Sequence, residues 1–235
     1  MKTILIGHRG VMELRPENTL SSFKEALRYP YISMVELDVY RLPSGELVVI
    51  HDNKLDRTTN GKGYVMKKSF SYIRSLNAGE GEKIPTLEEV LDLIDKKVVV
   101  NIELKGSGTA QGVAETLERY IENGWKIQNF IVSSFYPTEL KKIKELMPDI
   151  NIGIILDKSH KGYAKLAEKM EVFSIHPKVE LVTKKFLDDA HKHGFKVFAW
   201  MLKSPEKIRK MEKLGVDGIF VNNPEFAWNV LQKVL

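Results

Sequence analysis

The chain has no cysteine among its 235 residues. This absence excludes disulfide bridges, thiolate zinc sites and cysteine nucleophiles, and it makes a cytosolic location our default expectation. The sequence also has no apolar run of the roughly 18 residues that a membrane-spanning helix needs. The short apolar stretch that starts at Ile4 leads directly into His8-Arg9-Gly10. It therefore predicts a first strand rather than a signal peptide, and we expect no stable membrane anchoring.

Charge of one sign is not concentrated anywhere in the sequence. The formal net charge is +5, with 29% charged residues, and lysines such as Lys185 and Lys207 are spread over predicted helices that they keep solvated. There is no basic stripe with interleaved aromatic residues, so we expect no nucleic-acid partner. The small positive excess would still help to attract a small anionic substrate.

Short β-branched runs alternate with amphipathic stretches along almost the whole chain. The predicted strands are Ile4–His8, Met34–Tyr40, Val98–Lys105, Phe130–Phe135, Ile152–Leu156, Val172–His176, Lys196–Met201 and Gly218–Asn222. The predicted helices lie around Thr19–Arg28, Leu87–Asp95, Ala110–Asn123, Thr138–Leu146, Tyr163–Lys169, Lys184–His193, Pro205–Leu214 and Glu225–Val234. An open doubly wound sheet has the same alternation, but eight units favour a closed (β/α)8 barrel, as one domain over residues 1–235.

The second and third predicted strands are separated by an unusually long segment. Within it, Glu46–His51 reads as an extra strand that follows the turn at Pro43-Ser44-Gly45. We interpret the segment at about 43–85 as a small insertion on the catalytic face of the barrel.

Three carboxylates are predicted to point into the barrel. Residues two apart on a strand share one face, so Glu36 and Asp38 lie together, roughly 7 Å apart. The next strand places Glu103 on its inner face in the same way, with Asn101 and Lys105.

Carboxylates crowded in this way repel one another unless a cation lies between them. One divalent metal ion, Mg²⁺, Ca²⁺ or Mn²⁺, would meet that need because hard cations prefer oxygen ligands. The alternative is that the carboxylates form ion pairs with Lys105 and Arg9, and the sequence leaves both open.

Two histidines lie at the ends of predicted strands. His8 ends the first strand and His51 ends the extra strand, on the face where barrel enzymes carry out their chemistry. Histidine is suited to moving protons near neutral pH. His176 ends the sixth strand and could line the same site, although a packed or surface role is favoured. The remaining histidines are predicted to be solvated, namely His160, His191 and His193.

Several short motifs occur in one order along the chain. They are His8-Arg9-Gly10, Pro16-Glu17-Asn18-Thr19, Glu36-Leu37-Asp38, His51-Asp52, Asn101-Ile102-Glu103-Leu104-Lys105, Lys196-Val197-Phe198-Ala199-Trp200 and Gly215-Val216-Asp217-Gly218-Ile219-Phe220. In this order, from Thr3 to Pro224, the sequence resembles the glycerophosphodiester phosphodiesterase family.

The resemblance implies a role for each matching residue. It implies metal ligands at Glu36, Asp38 and Glu103, and a general acid/base pair at His8 and His51. It implies that Arg9 and Lys105 bind phosphoryl oxygens, and that Trp200 lines the apolar wall near the glycerol or alcohol, with core packing as the equal alternative. Glu17 and Asn18 would support these residues. The implied substrate is a small glycerophosphodiester.

Two segments depart from the family pattern. The family usually shows Thr-Val-Asn after the tryptophan and Thr-Asp before the proline, whereas this chain has Met201-Leu202-Lys203 and Val221-Asn222-Asn223. Substrate preference is what these departures put in doubt. The other functions considered are a lysophospholipid or phosphoinositide phosphodiesterase, a non-catalytic phosphate-binding barrel and a metal-free isomerase barrel, which the three carboxylates disfavour.

Overall fold

The computed structural model describes residues 3–159 and 162–232. In this part of the chain the strands are β1 (Ile4–Gly7), β2 (Ile32–Arg41), β3 (Leu47–Val49), β4 (Val99–Leu104), β5 (Phe130–Ser134), β6 (Asn151–Leu156), β7 (Ser174–Pro177), β8 (Lys196–Ala199) and β9 (Gly218–Val221). The helices are α1 (Leu20–Ala26), α2 (Phe70–Ser75), α3 (Leu87–Ile94), α4 (Thr109–Glu122), α5 (Pro137–Leu146), α6 (Tyr163–Lys169), α7 (Lys184–Lys192), α8 (Pro205–Leu214) and α9 (Pro224–Leu231).

Eight parallel strands close into a barrel. The order around it is β1, β2, β4, β5, β6, β7, β8 and β9, and β9 pairs with β1. The extra strand β3 runs antiparallel to the end of β2, where Val39 pairs with Val49. An open sheet would leave two edge strands with unpaired backbone groups. The predicted (β/α)8 barrel with an extra strand is therefore confirmed.

The strand alternation divides the interior into two layers. Val35, Leu37 and Val39 of β2 point outward and are fully buried in the larger core, between the strands and the helices. A smaller cluster fills the lumen and contains Ile6, Met34, Ile131, Phe198 and Phe220. Two of its members, on β1 and β2, precede polar lumen residues by two positions. The cluster thus forms an apolar floor below the carboxyl ends of the strands.

The segment between β2 and α3 packs around a hydrophobic cluster of its own. This cluster consists of Tyr40, Leu42, Val48, Ile50, Leu55, Val65, Ile73, Leu76, Ala78 and Ile84. Because it packs against the end of β2, the residues that follow β3 come to lie beside the mouth of the barrel. The helix α2 in this segment was not predicted from the sequence.

The ends of the predicted elements move by one or two residues in most cases. The last predicted helix reached Val234, which lies outside the described residues, as does His160.

Helix α3 begins with a capping box, in which Thr86 accepts from the backbone of Glu89 and the Glu89 side chain accepts in return. No helix in the described ranges is long and apolar enough to cross a membrane.

Candidate active site

A cavity of about 370 Å³ opens at the carboxyl ends of the barrel strands. One side of its wall, the charged half, consists of His8, Arg9, Glu36, His51, Asn101, Glu103 and Lys105. The other side, the apolar half, consists of Phe135, Ile155, His176, Trp200, Met201 and Phe220. Both halves face the same cavity, and the apolar cluster in the lumen closes its floor.

The three predicted carboxylates meet in the charged half. Glu36, Asp38 and Glu103 each offer an oxygen within 4.8 Å of the others. The sheet register brings them together, since Asp38 lies opposite Glu103 on the neighbouring strand. Burial raises the pKa of Glu36 well above its usual value, and the charges of Asp38 and Glu103 add to this effect. Burial and Asp38 raise the pKa of Glu103 to about 7.

This cluster fits a hard divalent cation. The Oδ1 atom of Asp38 is buried and has no hydrogen-bond partner in the described part of the chain. Against the effect of burial, Lys105 and Arg9 hold the pKa of Asp38 at about 2, so that carboxylate is ionised. A cation would satisfy the unpaired oxygen and reduce the repulsion that raises the other two pKa values. The acidic cluster could therefore hold a metal ion.

The two neighbouring cations contact the same carboxylates. The Nζ atom of Lys105 donates to Glu103 Oε1 at 2.7 Å and lies 3.5 Å from Asp38 Oδ1. The backbone N–H of Arg9 donates to Glu36 Oε2 at 2.9 Å, and its Nε lies 3.4 Å from Asp38 Oδ2. The ion pairs considered in the sequence analysis are therefore present. They do not neutralise the cluster, because Arg9 also pairs with Glu17 and the pKa values of Glu36 and Glu103 stay raised.

The turn after β1 places Arg9 at the cavity. Arg9 has φ 52° and Gly10 has φ 83°, a left-handed conformation that glycine adopts without strain. A Cβ atom on Gly10 would lie 2.4 Å from Ser22 Oγ. That hydroxyl donates to the Arg9 carbonyl at 3.0 Å and accepts from the Val11 backbone at 2.8 Å. The His-Arg-Gly sequence thus has a glycine where α1 approaches the turn most closely.

His8 is held by an amide. Its Nδ1 lies 2.8 Å from Asn222 Oδ1, and Asn222 Nδ2 donates to Glu13 Oε1 at 3.0 Å. A carboxylate only accepts, so the amide oxygen must face His8 and receive its Nδ1–H. The Nε2 atom then faces the carboxylates, 3.9 Å from Glu36 Oε2. Burial, with Arg9 adding to it, lowers the pKa of His8 to about 4.

His51 is held by a carboxylate. Its Nδ1 lies 2.6 Å from Asp52 Oδ1. Arg57 donates from Nε to Asp52 at 2.7 Å and makes two bonds to Glu17, at 2.6 and 2.8 Å. Arg57 lowers the pKa of Asp52, so the carboxylate stays ionised. Glu17 in turn accepts from Arg9 Nη1 at 2.6 Å. A continuous chain of charged groups therefore joins His51 to Arg9.

Asn18, the other predicted supporting residue, contacts a carboxylate directly. Its Nδ2 donates to Asp38 Oδ2 at 2.8 Å, and its own backbone N–H donates to the Arg9 carbonyl. Asn18 has φ 58°, in the left-handed region that asparagine tolerates better than most residues. Asn18 therefore holds Asp38 and the turn after β1 in one arrangement.

Trp200 lies just beyond β8 and lines the apolar half. Its Nε1 donates to the His176 carbonyl at 2.8 Å, and its ring meets Phe135 edge to face at 6.0 Å between centroids. It also packs against the lumen cluster. Both roles weighed for it, cavity wall and core packing, are present.

Sequence reasoning missed several residues of the site, namely Arg57, Phe135 and Asn222 as a partner of His8. His176 is only 1% exposed, which agrees with the packed role that was favoured for it, and it also lines the cavity, which the sequence left open. Its position at a strand end was the one available signal. Nothing in a single sequence marks Arg57 as the partner of Asp52.

Comparisons with known proteins agree on one family. The model of the glycerophosphoryl diester phosphodiesterase family matches residues 8–226. A glycerophosphodiester phosphodiesterase of Caldanaerobacter subterraneus subsp. tengcongensis is 38% identical over 99% of both chains. One from Bacillus altitudinis is 32% identical, again over 99% of both chains.

Among solved structures, an Oleispira antarctica phosphodiesterase in complex with the product sn-glycerol-3-phosphate has a TM-score of 0.90 and 27% identity, and the match covers 98% of this chain and 97% of that one. The resemblance noted in the sequence is thus confirmed over nearly the whole chain. The chain belongs to the glycerophosphoryl diester phosphodiesterase family.

Proposed function

We propose that this protein hydrolyses glycerophosphodiesters to sn-glycerol 3-phosphate and an alcohol, in a reaction that needs one divalent cation. The carboxylate cluster of the cavity supports this most directly. Glu36, Asp38 and Glu103 offer oxygens within 4.8 Å of one another, and the buried Oδ1 atom of Asp38 has no hydrogen-bond partner among the described residues. A bound divalent ion would stabilise the ionised form of all three and add positive charge where an anionic diester binds.

Glu36, Asp38 and Glu103 would hold the ion, whether Mg²⁺, Ca²⁺ or Mn²⁺. When bound, such an ion polarises a phosphoryl oxygen and offsets the negative charge that develops during the reaction. Arg9 and Lys105 line the cavity beside the carboxylates. Their side chains would bind the remaining phosphoryl oxygens through charge-assisted hydrogen bonds.

His8 and His51 would act as the general base and the general acid. The neutral amide of Asn222 holds Nδ1 of His8 and leaves Nε2 as an acceptor facing the site. Burial lowers the pKa of His51, whereas the neighbouring Asp38 and the Asp52 carboxylate at Nδ1 act in the opposite direction and favour the charged imidazolium. That imidazolium would give a proton to the departing alkoxide. The nucleophile would be a water molecule, which gives glycerol 3-phosphate directly, or the neighbouring hydroxyl of the substrate, which gives a cyclic phosphate that water then opens to glycerol 3-phosphate.

The relative from Oleispira antarctica supports glycerol 3-phosphate as a product, since its structure contains that compound. In this chain Trp200 and Phe135 would border the glycerol or the alcohol, on the side of the cavity away from the carboxylates. The substrate is therefore a small molecule that lies across the charged and apolar halves.

Release of glycerol 3-phosphate from glycerophosphocholine tests the proposal, with Mg²⁺, Ca²⁺ or Mn²⁺ and again with EDTA. We expect release that depends on the metal and stops on chelation. A second arm uses lysophosphatidylcholine, which a phosphodiesterase with a longer apolar groove would prefer. Folded protein that binds glycerol 3-phosphate but hydrolyses no diester with any metal would instead be a binding barrel.

A further inference from the structure

The apolar half of the cavity contains one buried polar pair that the proposed function does not use. His176 of β7 is 1% exposed, and its ring packs between Phe198 and Phe220, at 5.4 and 5.5 Å between centroids. Its Nε2 lies 2.8 Å from the hydroxyl of Ser174, two residues earlier on the same strand. A packed lumen position of this kind is usually taken by an apolar side chain.

The neighbouring strands leave room for this ring and fix its position. A Cβ atom on Gly153 of β6 would lie 2.6 Å from His176 Nε2 and 3.0 Å from Ser174 Oγ. Glycine at this position therefore makes space for the pair. On the other side, Trp200 donates its indole N–H to the His176 carbonyl. The Trp200 bond thus holds the backbone of His176, and the contact with Ser174 Oγ holds the imidazole in the cavity wall.

One nitrogen of this ring is unused. Ser174 contacts Nε2, so Nδ1 is the ring nitrogen left for a ligand in the cavity that His176 lines. Burial lowers the pKa of His176 to about 3, so the ring is neutral. A hydroxyl group can bond to Nδ1 in either tautomer, because it both donates and accepts.

We propose that His176 Nδ1 binds the terminal hydroxyl of the glycerol arm of the substrate, and that this contact selects glycerol-bearing phosphodiesters. The inference rests on the proposed function, which places the phosphate against Arg9 and Lys105. The hydroxyl farthest from the phosphate then reaches the opposite wall, where His176 lies. Ser174 is a positioning residue that fixes the ring.

The test compares two substrates that differ by that hydroxyl. One is glycerophosphocholine, and the other is its analogue with propane-1,2-diol, which keeps the hydroxyl beside the phosphorylated carbon. We expect the wild type, with saturating metal, to show a kcat/KM roughly 5- to 100-fold higher for the glycerol substrate, the range for leaving a buried polar group unpaired.

Substitution then assigns the preference to the residue. His176→Phe keeps an aromatic ring beside Phe198 and Phe220. We expect its kcat/KM values for the two substrates to become about equal, because kcat/KM falls for the glycerol substrate and stays unchanged for the propanediol analogue. Ser174→Ala should reduce the preference by a smaller factor, because the ring stays but its position is less fixed. Ile154→Val changes the neighbouring residue of β6, which packs in the larger core outside the cavity, so it should keep the wild-type ratio.

Each result has a distinct meaning. A wild type that hydrolyses both substrates equally would overturn the selection by His176 and leave the proposed function standing. So would a wild-type ratio in a His176→Phe variant with a normal melting temperature. A wild type that hydrolyses neither substrate with any metal would overturn the proposed function and this inference together.

Discussion

The two halves of the cavity are built on different physical principles. In the charged half, polar side chains hold one another, as in the chain from Arg9 through Glu17, Arg57 and Asp52 to His51. In the apolar half, rings and aliphatic side chains set the shape, and His176 is the polar member of the wall. Directional bonds fix atoms for chemistry, whereas packed surfaces shape a space for recognition. Changes in the charged half should therefore alter turnover, and changes in the apolar half should alter preference among substrates.

The largest effect is expected for His51→Ala. The side chain is 32% exposed and belongs to none of the hydrophobic clusters, so the fold should survive its loss. Without the general acid, kcat for glycerophosphodiester hydrolysis should fall by about two orders of magnitude or more. Stopped or steady-state assays at saturating metal measure this, with the melting temperature as the control for folding. A near-normal kcat would remove His51 from the mechanism.

Glu103→Gln should affect both metal binding and the pH dependence of stability. Burial and Asp38 raise the pKa of Glu103 from 4.5 to about 7, so in metal-free protein the folded state holds a proton more tightly than the unfolded state. That contribution to stability is complete below about 4.5 and is lost as the pH rises through about 7. Glutamine does not titrate. In EDTA the melting temperature of the variant, relative to that of the wild type, should therefore rise as the pH increases from about 4.5 to about 7.

The control for this prediction is the metal itself. Saturating divalent ion should raise the melting temperature of the wild type, and much less that of Glu103→Gln, because binding to the folded state alone is stabilising. Each kcal/mol corresponds to roughly 2–4 °C for a chain of this size. A difference in melting temperature between the two proteins that stays the same at every pH would contradict the raised pKa of Glu103 in the carboxylate cluster.

Arg57→Gln should have an intermediate effect. The substitution leaves Glu17 and Asp52 without the cation that bridges them, so His51 and Arg9 lose their shared support. We expect kcat to fall by about tenfold, with little change in KM, since one charge-assisted contact is typically worth that much.

Arg57→Lys is the matched control, because it keeps the charge but cannot bind both carboxylates through a planar fork. A lysine variant as active as the wild type would show that charge alone suffices.

The smallest effect is expected for Trp200→Phe in the apolar half. Phenylalanine keeps an aromatic ring but lacks the N–H that donates to the His176 carbonyl. KM should rise by about 2- to 10-fold while kcat stays unchanged, the range for one neutral hydrogen bond. If the apolar half governs substrate preference, the size of this rise in KM should differ between substrates that carry different alcohols. A fall in kcat as large as that of Arg57→Gln would contradict the assignment of turnover to the charged half and substrate preference to the apolar half.

Much of the charged half could be predicted because its residues lie at strand ends in short motifs. Alternation alone placed Glu36, Asp38 and Glu103 on inner faces, and the structure brings them within 4.8 Å. The apolar half could not be predicted in the same way. Phe135 follows β5 and His176 lies on β7, and each reads as an ordinary strand-end residue until the strands are arranged in a ring.

The sequence by itself determined the period of each element, and with it which side chains face the lumen, because a strand alternates its side chains by local backbone geometry. Tertiary structure decided which of these side chains meet. His8 contacts Asn222 across 214 positions because β9 closes the barrel against β1. Arg57 contacts Glu17 across 40 positions because the segment after β3 folds back over the mouth. Contacts between distant residues depend on how the elements pack, and a local pattern does not carry that information.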